Sequence, residues 1–361
     1  MREALLILLV VGLGVAGLAK ARVALLTYIW FAVMRPDVLA WATDRPYSFV
    51  LGVIAVLSCL RELPYAPLVV RSRWMILFLA LMGWIALSAV VSDQFDDSML
   101  MLRIFLPTLL TAALIPVVLR TFEDLRQLYL VMAFSLGFLG LKFGLWAVIH
   151  GGARLTGGYG GSLTDNNLFA LAVVVGLPLC WYARLATQDW RLKLMYLGFS
   201  AFIIPAVIMT HSRGGALALA VALGFIAWHS KRRAATLVIL ALVAVPSLLL
   251  VKDSFLDRMR TMADYESDLS SKNRITYWKG AFRLSLDNPM TGVGFGGLAY
   301  VKKIPKYLGA DDAAQYAHNN YLQMAADSGY PALILFCILL FGQFFWYRAA
   351  GMKVKDRDPV M

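Results

Sequence analysis

Apolar residues run along this chain in long stretches separated by short polar connections. A stretch of about 20 apolar residues is long enough to cross a lipid bilayer as a helix. By this measure the sequence predicts eleven membrane-spanning helices. They lie at 3–18, 22–34, 47–60, 74–92, 101–119, 127–149, 167–183, 193–210, 214–229, 234–251 and 321–347. We therefore expect an all-α, polytopic integral membrane bundle of about 11 transmembrane helices.

The one long polar stretch is residues 252–319, which predicts a large loop outside the membrane. Within it, Ser270 to Leu286 has the spacing of an amphipathic helix. Ile275, Trp278 and Phe282 form its apolar stripe, which we expect to lie against the outer membrane surface or the top of the bundle. Four segments follow: N-terminal helices (1–150), central helices with outer turns (151–251), the external loop (252–320), and a final helix with a cytoplasmic tail (321–361).

Composition and charge agree with a membrane protein and argue against nucleic-acid binding. The chain is 60% hydrophobic and 16% charged, with a formal net charge of +12. Half of the 34 lysines and arginines fall in alternate loops, as in cytoplasmic loops of membrane proteins. These residues are Lys20, Arg22, Arg61, Arg71, Arg73, Arg120, Arg126, Arg184, Arg191, Lys193, Lys231, Arg232, Arg233, Arg348, Lys353, Lys355 and Arg357. Topology thus explains the basic excess, and we expect membrane lipids rather than nucleic acid as partners.

The same charge pattern assigns the remaining connections to the outer face. These are the turn after His150, the turn from His211 to Gly214, and residues 252–319. The pattern also places the N-terminus outside, unless the first two apolar segments form a single irregular span. All the candidate polar chemistry described below lies on, or opens toward, this face.

The sequence predicts no metal site and no cofactor. Its three cysteines lie within apolar segments without CxxC spacing, which indicates neither a disulfide framework nor a zinc site. Asp93, Asp96 and Asp97 are candidates for a divalent metal beside a diphosphate. The interpretation that we favour is a solvated acidic loop that helps to orient the flanking helices.

Two outer connections carry candidate binding residues. Arg154 lies in a glycine-rich loop that is flexible enough to fold over a ligand, and Asp165 and Asn166 follow it. Both of these side chains are candidates for capping the next helix and for binding a substrate. Lys142 lies well inside a span, where a cation costs about 2.5–3.5 kcal/mol, so we expect it to line a polar cavity.

Arg213 lies in the outer turn THSRGG. Its flanking glycines leave the guanidinium accessible, and short outer connections are otherwise poor in cations. An arginine at a helix end often extends its charge into the interface, which is the alternative interpretation. We expect Arg213 to bind an anion.

The external loop carries the remaining candidates. Arg274 and Trp278 are four residues apart and share a helix face. His318 and Asn319 stand at the start of the last apolar segment. Arginine offers forked donors that suit phosphate oxygens, and histidine exchanges a proton near neutral pH. These residues suggest a site that grips a phosphorylated ligand and moves a proton.

The glycine cluster GVGFGG, residues 292–297, formally matches GxGxxG. That motif binds dinucleotides only between a strand and a helix of a soluble βαβ unit. Here it follows a helix on the outer face, so we reject a dinucleotide site. A tight turn, or a nest of backbone amides around an anion, remains open.

In these residues the chain resembles the O-antigen ligase and polymerase superfamily of bacterial membrane glycosyltransferases. It looks closest to the exosortase-associated O-glycosylation ligases. The resemblance rests on an ordered set of motifs on one membrane face and covers most of the chain. The motifs are the lysine-bearing helix with Arg154 after it, Asp165-Asn166-Asn167, Ser212-Arg213-Gly214, Arg274 with Trp278, Gly292-Val293-Gly294, and His318-Asn319 with Leu322-Gln323 ahead of Gly329. Relatives usually continue with further apolar sequence beyond the position of Met361.

The resemblance implies a GT-C-like helical fold and an enzyme of the bacterial inner membrane with its active site in the periplasm. It implies metal-independent, inverting transfer of a glycan from undecaprenyl diphosphate, without a cofactor. In this hypothesis Arg213 and Arg274 bind the diphosphate and His318 activates the acceptor hydroxyl. Lys142, Arg154, Asp165, Asn166, Trp278 and Asn319 are the further candidates for binding substrate.

The acceptor is left open: an exported protein or a lipid-linked sugar fits equally well. A polysaccharide polymerase is an alternative within the same chemistry, and it differs only in its acceptor. A transporter or flippase for an anionic lipid or solute is an alternative from another class. It predicts pseudo-symmetric halves, and the sequence has no internal repeat.

Overall fold

The computed structural model describes residues 2–43, 45–155, 165–250, 269–309, 312–346 and 348, with backbone alone for 269–273. Most glycines of the loop before Asp165, residues 251–268, and residues 349–361 lie outside these ranges. The chain forms two compact units. Unit 1 is Met1–Arg61 with Val118–Asp264, and unit 2 is Glu62–Val117 with Tyr265–Met361.

The described residues form helices and contain no β-strand. In chain order the α-helices are α1 (Arg2–Ala19), α2 (Ala21–Met34), α3 (Pro36–Ala40), α4 (Tyr47–Cys59), α5 (Ala66–Val70), α6 (Arg73–Val90), α7 (Phe95–Val118), α8 (Phe122–Ile149), α9 (Asn166–Ala186), α10 (Trp190–Ile208), α11 (Arg213–His229), α12 (Arg233–Leu250), α13 (Leu269–Asp287), α14 (Leu298–Lys303) and α15 (Asn320–Cys337). There are also two short 3₁₀-helices, Leu60–Tyr65 and Ile304–Tyr307, and one short π-helix, Ile338–Gly342.

Nine stretches of the described chain are long and apolar enough to cross a membrane. They are α1, Tyr47–Val70, α6, α7, α8, α9, α10, α12 and Asn320–Trp346. The other two predicted spans correspond to the shorter apolar helices α2 and α11. The chain is thus an all-helical, polytopic membrane protein, as its apolar pattern predicts, while the count of eleven spans stays a prediction.

Close packing of α8, α9 and α10 forms the centre of unit 1. Glycines on α8 let α10 approach it closely. A Cβ on Gly140 would stand 2.2 Å from Cγ1 of Ile203, and one on Gly144 would stand 2.0 Å from the carbonyl oxygen of Phe202. Helices this close exclude larger side chains from the seam, because interiors are packed without spare volume.

A polar anchor ties α2 to the start of α8 in unit 1. Thr121 and Asp124 form a reciprocal capping box at the first turn of α8. Arg22 Nη1 donates to Asp124 Oδ1 at 2.7 Å. Asp124 therefore accepts hydrogen bonds from the backbone just before α8, at Arg120 and Thr121, and from Arg22 on α2, and it fixes how these two helices meet.

In unit 2, α15 is interrupted rather than continuous. Gly329 has φ 80° and ψ 175°, which breaks the helix in the middle of the predicted span. Tyr330 N donates to Pro289 O at 2.8 Å. A Cβ on Gly329 would lie 2.0 Å from Met290 O. The backbone of 289–290 therefore passes directly over the break, in a space that only glycine leaves open.

Carbonyl groups at this break find hydrogen-bond donors on α6 and on the glycine cluster. Trp84 Nε1 donates to Ser328 O at 3.0 Å, and Ser88 Oγ donates to Asp327 O at 2.9 Å. Val293 N donates to Ala326 O and Gly294 N donates to Asp327 O, each at 2.9 Å. The last carbonyls of a helix segment lack partners within the helix, so these donors stabilise its end.

The predicted amphipathic helix of residues 270–286 is present as α13, but a different face packs within unit 2. The buried hydrophobic residues of this face are Tyr277, Ala281 and Leu284. Of the expected stripe, Trp278 is 38% and Phe282 is 49% exposed. This leaves the stripe on the outside, where contact with a membrane surface stays a prediction.

Candidate functional site

Unit 1 contains a polar cavity of about 350 Å³ that is open to the outside. Its lining comes from the end of the turn after α8, from the start of α9, and from the α10–α11 turn. The lining residues are Arg154, Asp165, Asn166, Asn167, Thr210, His211 and Ser212. Three sequence-predicted residues, Arg154, Asp165 and Asn166, thus meet at one cavity.

The cavity lies at the N-termini of two helices. Asp165 Oδ1 caps α9 by accepting from Asn167 N and Leu168 N, both at 2.9 Å. Ser212 Oγ caps α11 by accepting from Gly215 N at 3.0 Å, and it donates to Asn167 Oδ1 at 2.6 Å. Helix N-termini carry partial positive charge, so two of them at one cavity favour an anionic ligand.

Two arginines add positive charge to this region. Arg154 is exposed and lines the cavity, and the next residue is fixed by a hydrogen bond of 2.8 Å from Leu155 N to Met209 O. Arg213 is half-buried as the first residue of α11, directly after the lining residue Ser212. A cation at a helix N-terminus is unfavourable by about 0.3–1 kcal/mol, which is offset if an anion binds there.

Lys142 is not among the residues that line the cavity. It is exposed on α8, and its Nζ lies 4.9 Å from the ring centroid of Phe143. Its expected role in binding substrate stays a prediction.

His211 lines the cavity but is not among the candidate residues predicted from the sequence. It is only 6% exposed and has φ 54°, a left-handed conformation that is uncommon for a residue other than glycine. Its position two residues before Arg213 was the available signal. The backbone conformation that turns the chain between α10 and α11 could not be read from the sequence.

In unit 2 the structure brings Trp278 to the residue before His318. Trp278 Nε1 donates to Ala317 O at 2.8 Å, so the outer face of α13 is joined to the start of α15. Arg274 stands one turn before Trp278 on α13, and its side chain is exposed. Arg274, Trp278 and His318 therefore belong to one outward-facing surface of unit 2.

His318 is presented to solvent on a constrained backbone. Its φ is 50°, and its side chain is exposed. Asn319 follows as the N-cap of α15, where Oδ1 accepts from Tyr321 N at 3.0 Å and from Leu322 N at 3.2 Å. The described part of the chain offers the imidazole no hydrogen-bond partner, so the ring is accessible to a ligand. Asn319 acts as a cap in this structure, and its expected contact with substrate stays a prediction.

Two acidic residues at the start of α7, Asp93 just before it and Asp97 in its first turn, pair with lysines of α14. Lys303 Nζ lies 3.0 Å from Asp93 Oδ2, and Lys302 pairs with Asp97. The favoured interpretation, an acidic loop that orients its neighbours, agrees with these ion pairs. Within the described ranges, no group of three or more His, Cys, Asp or Glu residues is placed to hold a metal ion.

Two tyrosines of unit 2, Tyr300 and Tyr307, have raised pKa values. Burial raises the pKa of Tyr300, and the nearby Asp327 carboxylate raises it further. The hydrogen bond from Tyr307 to the Asp287 carboxylate, 2.6 Å long, raises the pKa of Tyr307 to about 12. Both phenols therefore remain neutral at physiological pH and act as structural groups.

Two stretches of the chain match models of protein families. Residues 1–187 match a family of unknown function, DUF5935, and this stretch is more than half of the 361 residues. The chain belongs to the DUF5935 family. Residues 198–337 match a second family, described as O-antigen ligase (Wzy_C). Neither a curated protein nor a solved structure matches the chain significantly.

In this DUF5935 protein the two matches divide the predicted site residues. Lys142, Arg154, Asp165 and Asn166 lie in the first, and Arg213, Arg274, Trp278, His318 and Asn319 lie in the second. The second match supports the resemblance to the O-antigen ligase superfamily. Together with the helical membrane architecture, it supports an O-antigen ligase-like membrane enzyme.

Proposed function

We propose that this protein is a membrane glycosyltransferase that moves a glycan from undecaprenyl diphosphate to an acceptor hydroxyl. The reaction takes place on the periplasmic face of the bacterial inner membrane and is inverting and metal-independent. The observation that carries this proposal is the presentation of His318 on the same surface as Arg274. The O-antigen ligase match supports it, because residues 198–337 include both of these residues and Arg213.

His318 is suited to act as a general base. Its ring is exposed, while the preceding residue is held by the hydrogen bond from Trp278 to Ala317 O, 2.8 Å long. A general base must reach the proton that it removes and must be neutral when it does so. A neutral imidazole next to bound acceptor meets both conditions, and such assistance is worth about 10²–10⁴ in rate.

The arginines are suited to the diphosphate. Their planar guanidinium groups make paired hydrogen bonds with phosphate oxygens. In unit 1, Arg154 lines a cavity at two helix N-termini, and Arg213 directly follows the lining residue Ser212. In unit 2, Arg274 is exposed on α13. Each unit by itself thus provides positive charge for a phosphorylated ligand.

In the proposed step the acceptor oxygen attacks the anomeric carbon of the glycan. The acceptor's proton passes to the His318 imidazole, and the bond between the anomeric carbon and the diphosphate oxygen breaks. The leaving diphosphate takes the bonding electron pair, and Arg213 and Arg274 stabilise its developing charge. No nucleotide is consumed, because the energy for transfer is already stored in the lipid-linked donor.

Two classes of acceptor fit this chemistry. An exported protein with a serine or threonine hydroxyl would make the protein an O-glycosylation ligase of the exosortase-associated kind. A lipid-linked sugar would make it a ligase for a lipid core or a polysaccharide polymerase. All of these acceptors supply a hydroxyl, so the same base and the same diphosphate-binding residues serve each of them.

The test is glycan transfer by the purified protein, in chelator, from a lipid-diphosphate glycan to a panel of protein and lipid acceptors. We expect His318→Ala to lower kcat by about 10²–10⁴, because the general base is lost. Arg274→Ala should also lower activity steeply. His229→Ala is the matched control, since His229 is an exposed histidine at the far end of α11.

Activity that survives the chelator, collapses in both variants and is unchanged in the control would establish the proposed enzyme. The reacting acceptor would then identify its subclass. If wild type binds the lipid but transfers nothing, or if His318→Ala is as active as wild type, the proposal fails and lipid transport becomes the leading hypothesis.

A further inference from the structure

Both backbone groups of Ala317, the residue before His318, are held by side chains. Its carbonyl oxygen accepts from Trp278 Nε1 at 2.8 Å, and its N–H donates to Gln323 Oε1 at 3.0 Å. Ala317 is fully buried, so these partners replace water. A peptide held from both sides has little freedom to rotate, which fixes the direction in which the chain enters His318.

His318 needs this restraint because its own conformation is unfavourable. A residue other than glycine with φ 50° costs about 1–2 kcal/mol relative to ordinary backbone geometry. Such a conformation persists only where the surrounding structure determines it, and it is often found at functional sites. The restraint at Ala317 precedes His318, and the Asn319 cap follows it.

The Ala317 N–H determines which way the Gln323 amide faces. A backbone N–H only donates hydrogen bonds, so Gln323 Oε1 must face Ala317 N. This leaves the NH₂ group, and Gln323 Nε2 donates to Asp327 Oδ1 at 2.8 Å, one helical turn further along α15. Asp327 is 5% exposed, so this contact is shielded from water.

The glycine cluster lies against Asp327. Gly294 N donates to the Asp327 carbonyl oxygen at 2.9 Å, and the backbone N–H groups of Gly296 and Gly297 interact with the Asp327 carboxyl group. Successive backbone amides favour a negative charge, and here that charge belongs to a side chain of the chain itself. Gly297 has φ 85°, and a Cβ on it would lie 2.2 Å from Cε1 of Tyr316, the neighbour of Ala317. The cluster therefore also packs against the segment that leads into His318.

We propose that Gln323 and Asp327 are positioning residues for His318. The glycine cluster fixes Asp327 through the hydrogen bond from Gly294 N, Asp327 accepts from Gln323, and Gln323 holds the Ala317 peptide so that the imidazole stands in its productive place. This inference rests on the proposed role of His318 as the base. It assigns GVGFGG a function in positioning the base rather than in binding a nucleotide or the donor.

The test exchanges the two polar side chains. Gln323→Glu places two carboxylates against each other, and Asp327→Asn turns an NH₂ group toward a donor. In the double variant, the new amide at position 327 donates to the new carboxylate at position 323. That carboxylate still accepts from Ala317 N, and the amide oxygen at position 327 remains for the glycine N–H groups.

We expect each single variant to lower kcat by about 10² with little change in the KM for the lipid donor, because displacement of a reacting group by about 1 Å has this cost.

The double variant restores a hydrogen bond between positions 323 and 327, so it should recover most of the lost kcat. We expect its kcat to lie within about threefold of wild type, compared with a loss of about 10² in each single variant. Gln127→Glu is the matched control, because Gln127 Nε2 makes a similar one-turn hydrogen bond of 3.3 Å to Glu123 on an exposed face of α8. Its kcat should not change. A merely structural role would instead lower the folded fraction and leave the kcat per folded molecule intact.

Gln323→Met keeps the test decisive if the charged variants do not fold. Gln323 is half-buried, so a methionine of similar size is tolerated there, and it removes both hydrogen bonds. A folded Gln323→Met protein with wild-type kcat would overturn the inference, as would a folded double variant no more active than the single variants. His318→Ala is run alongside: if it too is fully active, the proposed function has failed, whereas its inactivity beside an active Gln323→Met removes this inference alone.

Discussion

The unit 1 cavity lies at the start of a helix, and the His318 segment of unit 2 leads into another. A side-chain oxygen caps the helix in both places, yet the two regions are built differently. Asp165 caps α9 and Asn319 caps α15, and each accepts two backbone N–H groups. The unit 1 cavity is concave and collects polar side chains around two helix N-termini. The unit 2 segment instead exposes one histidine on a backbone restrained by buried groups.

The difference matches two different chemical tasks. Binding an anion requires many donors around a space, and small displacements of any one donor are tolerated. Removing a proton requires a single group in a defined place, and small displacements are costly. We therefore expect unit 1 to be sensitive to changes in charge and unit 2 to be sensitive to changes in backbone geometry.

The sharpest test of this contrast is one added methyl group in unit 2. Gly329→Ala should destabilise the folded protein by about 3 kcal/mol or more, because φ 80° with ψ 175° is almost restricted to glycine. The new Cβ would also meet Met290 O at 2.0 Å. The measurement is the thermal midpoint and the folded yield in detergent.

Gly83→Ala is the control for this change, since Gly83 lies in the middle of α6 in the same unit with nothing within 4 Å of an added Cβ. It should be neutral or stabilising by up to about 1 kcal/mol, as alanine favours helix. Equal midpoints for the two variants would show that the break in α15 is not under constraint.

This break marks the limit of what the sequence could predict about the fold. Every predicted apolar segment is helical, because a span must satisfy its backbone hydrogen bonds internally. The interruption of α15 at Gly329 could not be found this way. It depends on the backbone of Pro289 and Met290, which reaches α15 only through tertiary packing.

The packed face of α13 shows a related limit. The spacing of Ile275, Trp278 and Phe282 indicates an amphipathic helix, and the helix is there. The stripe is predicted to lie against the membrane surface or the top of the bundle, whereas the face that packs within unit 2 contains Ala281 and Tyr277. Small residues allow helices to come close, and hydrophobicity alone does not reveal where that closeness is needed.

The structure brings together those candidate residues that are close in sequence to one turn. Arg154, Asp165 and Asn166 belong to one connection between helices, and they line one cavity, while their role in binding stays a prediction. His211 joins them through its left-handed backbone conformation, which the sequence does not specify. Gln323 and Asp327 were also passed over as functional candidates, because their connection to His318 runs through the backbone of Ala317.

The charge sensitivity of unit 1 can be tested at Arg213. Arg213→Gln should weaken binding of the lipid-diphosphate donor by about 10–100-fold, since a hydrogen bond to a charged group is worth about 1.5–3 kcal/mol. Donor affinity and the thermal midpoint are measured on the same preparation.

Arg191→Gln provides a matched control, because Arg191 also lies in the first turn of a helix, α10. This end of α10 is predicted to face the cytoplasm. It should leave donor affinity at the wild-type value. A lowered midpoint with normal affinity in Arg213→Gln would show instead that Arg213 is a structural residue.

The smallest expected effects separate capping from binding at Asp165 and Asn319. Replacement of either by alanine should cost about 1 kcal/mol of stability, because two backbone N–H groups lose their acceptor. Asp165→Asn and Asn319→Asp each keep a capping oxygen, so both should retain the wild-type thermal midpoint. The exchanges differ in charge alone, which makes donor binding the informative measurement.

At the unit 1 cavity, Asp165→Asn removes an exposed negative charge from the surroundings of a bound diphosphate. Donor affinity should therefore rise by a few-fold, in line with the roughly 0.2–1 kcal/mol of exposed charge pairs, and the gain should shrink at high salt. A loss of affinity at an unchanged midpoint would mean that the Asp165 carboxylate itself contacts the substrate. In unit 2, Asn319→Asp should leave donor affinity unchanged if Asn319 is only a cap, because its oxygen is already committed to the Tyr321 and Leu322 amides.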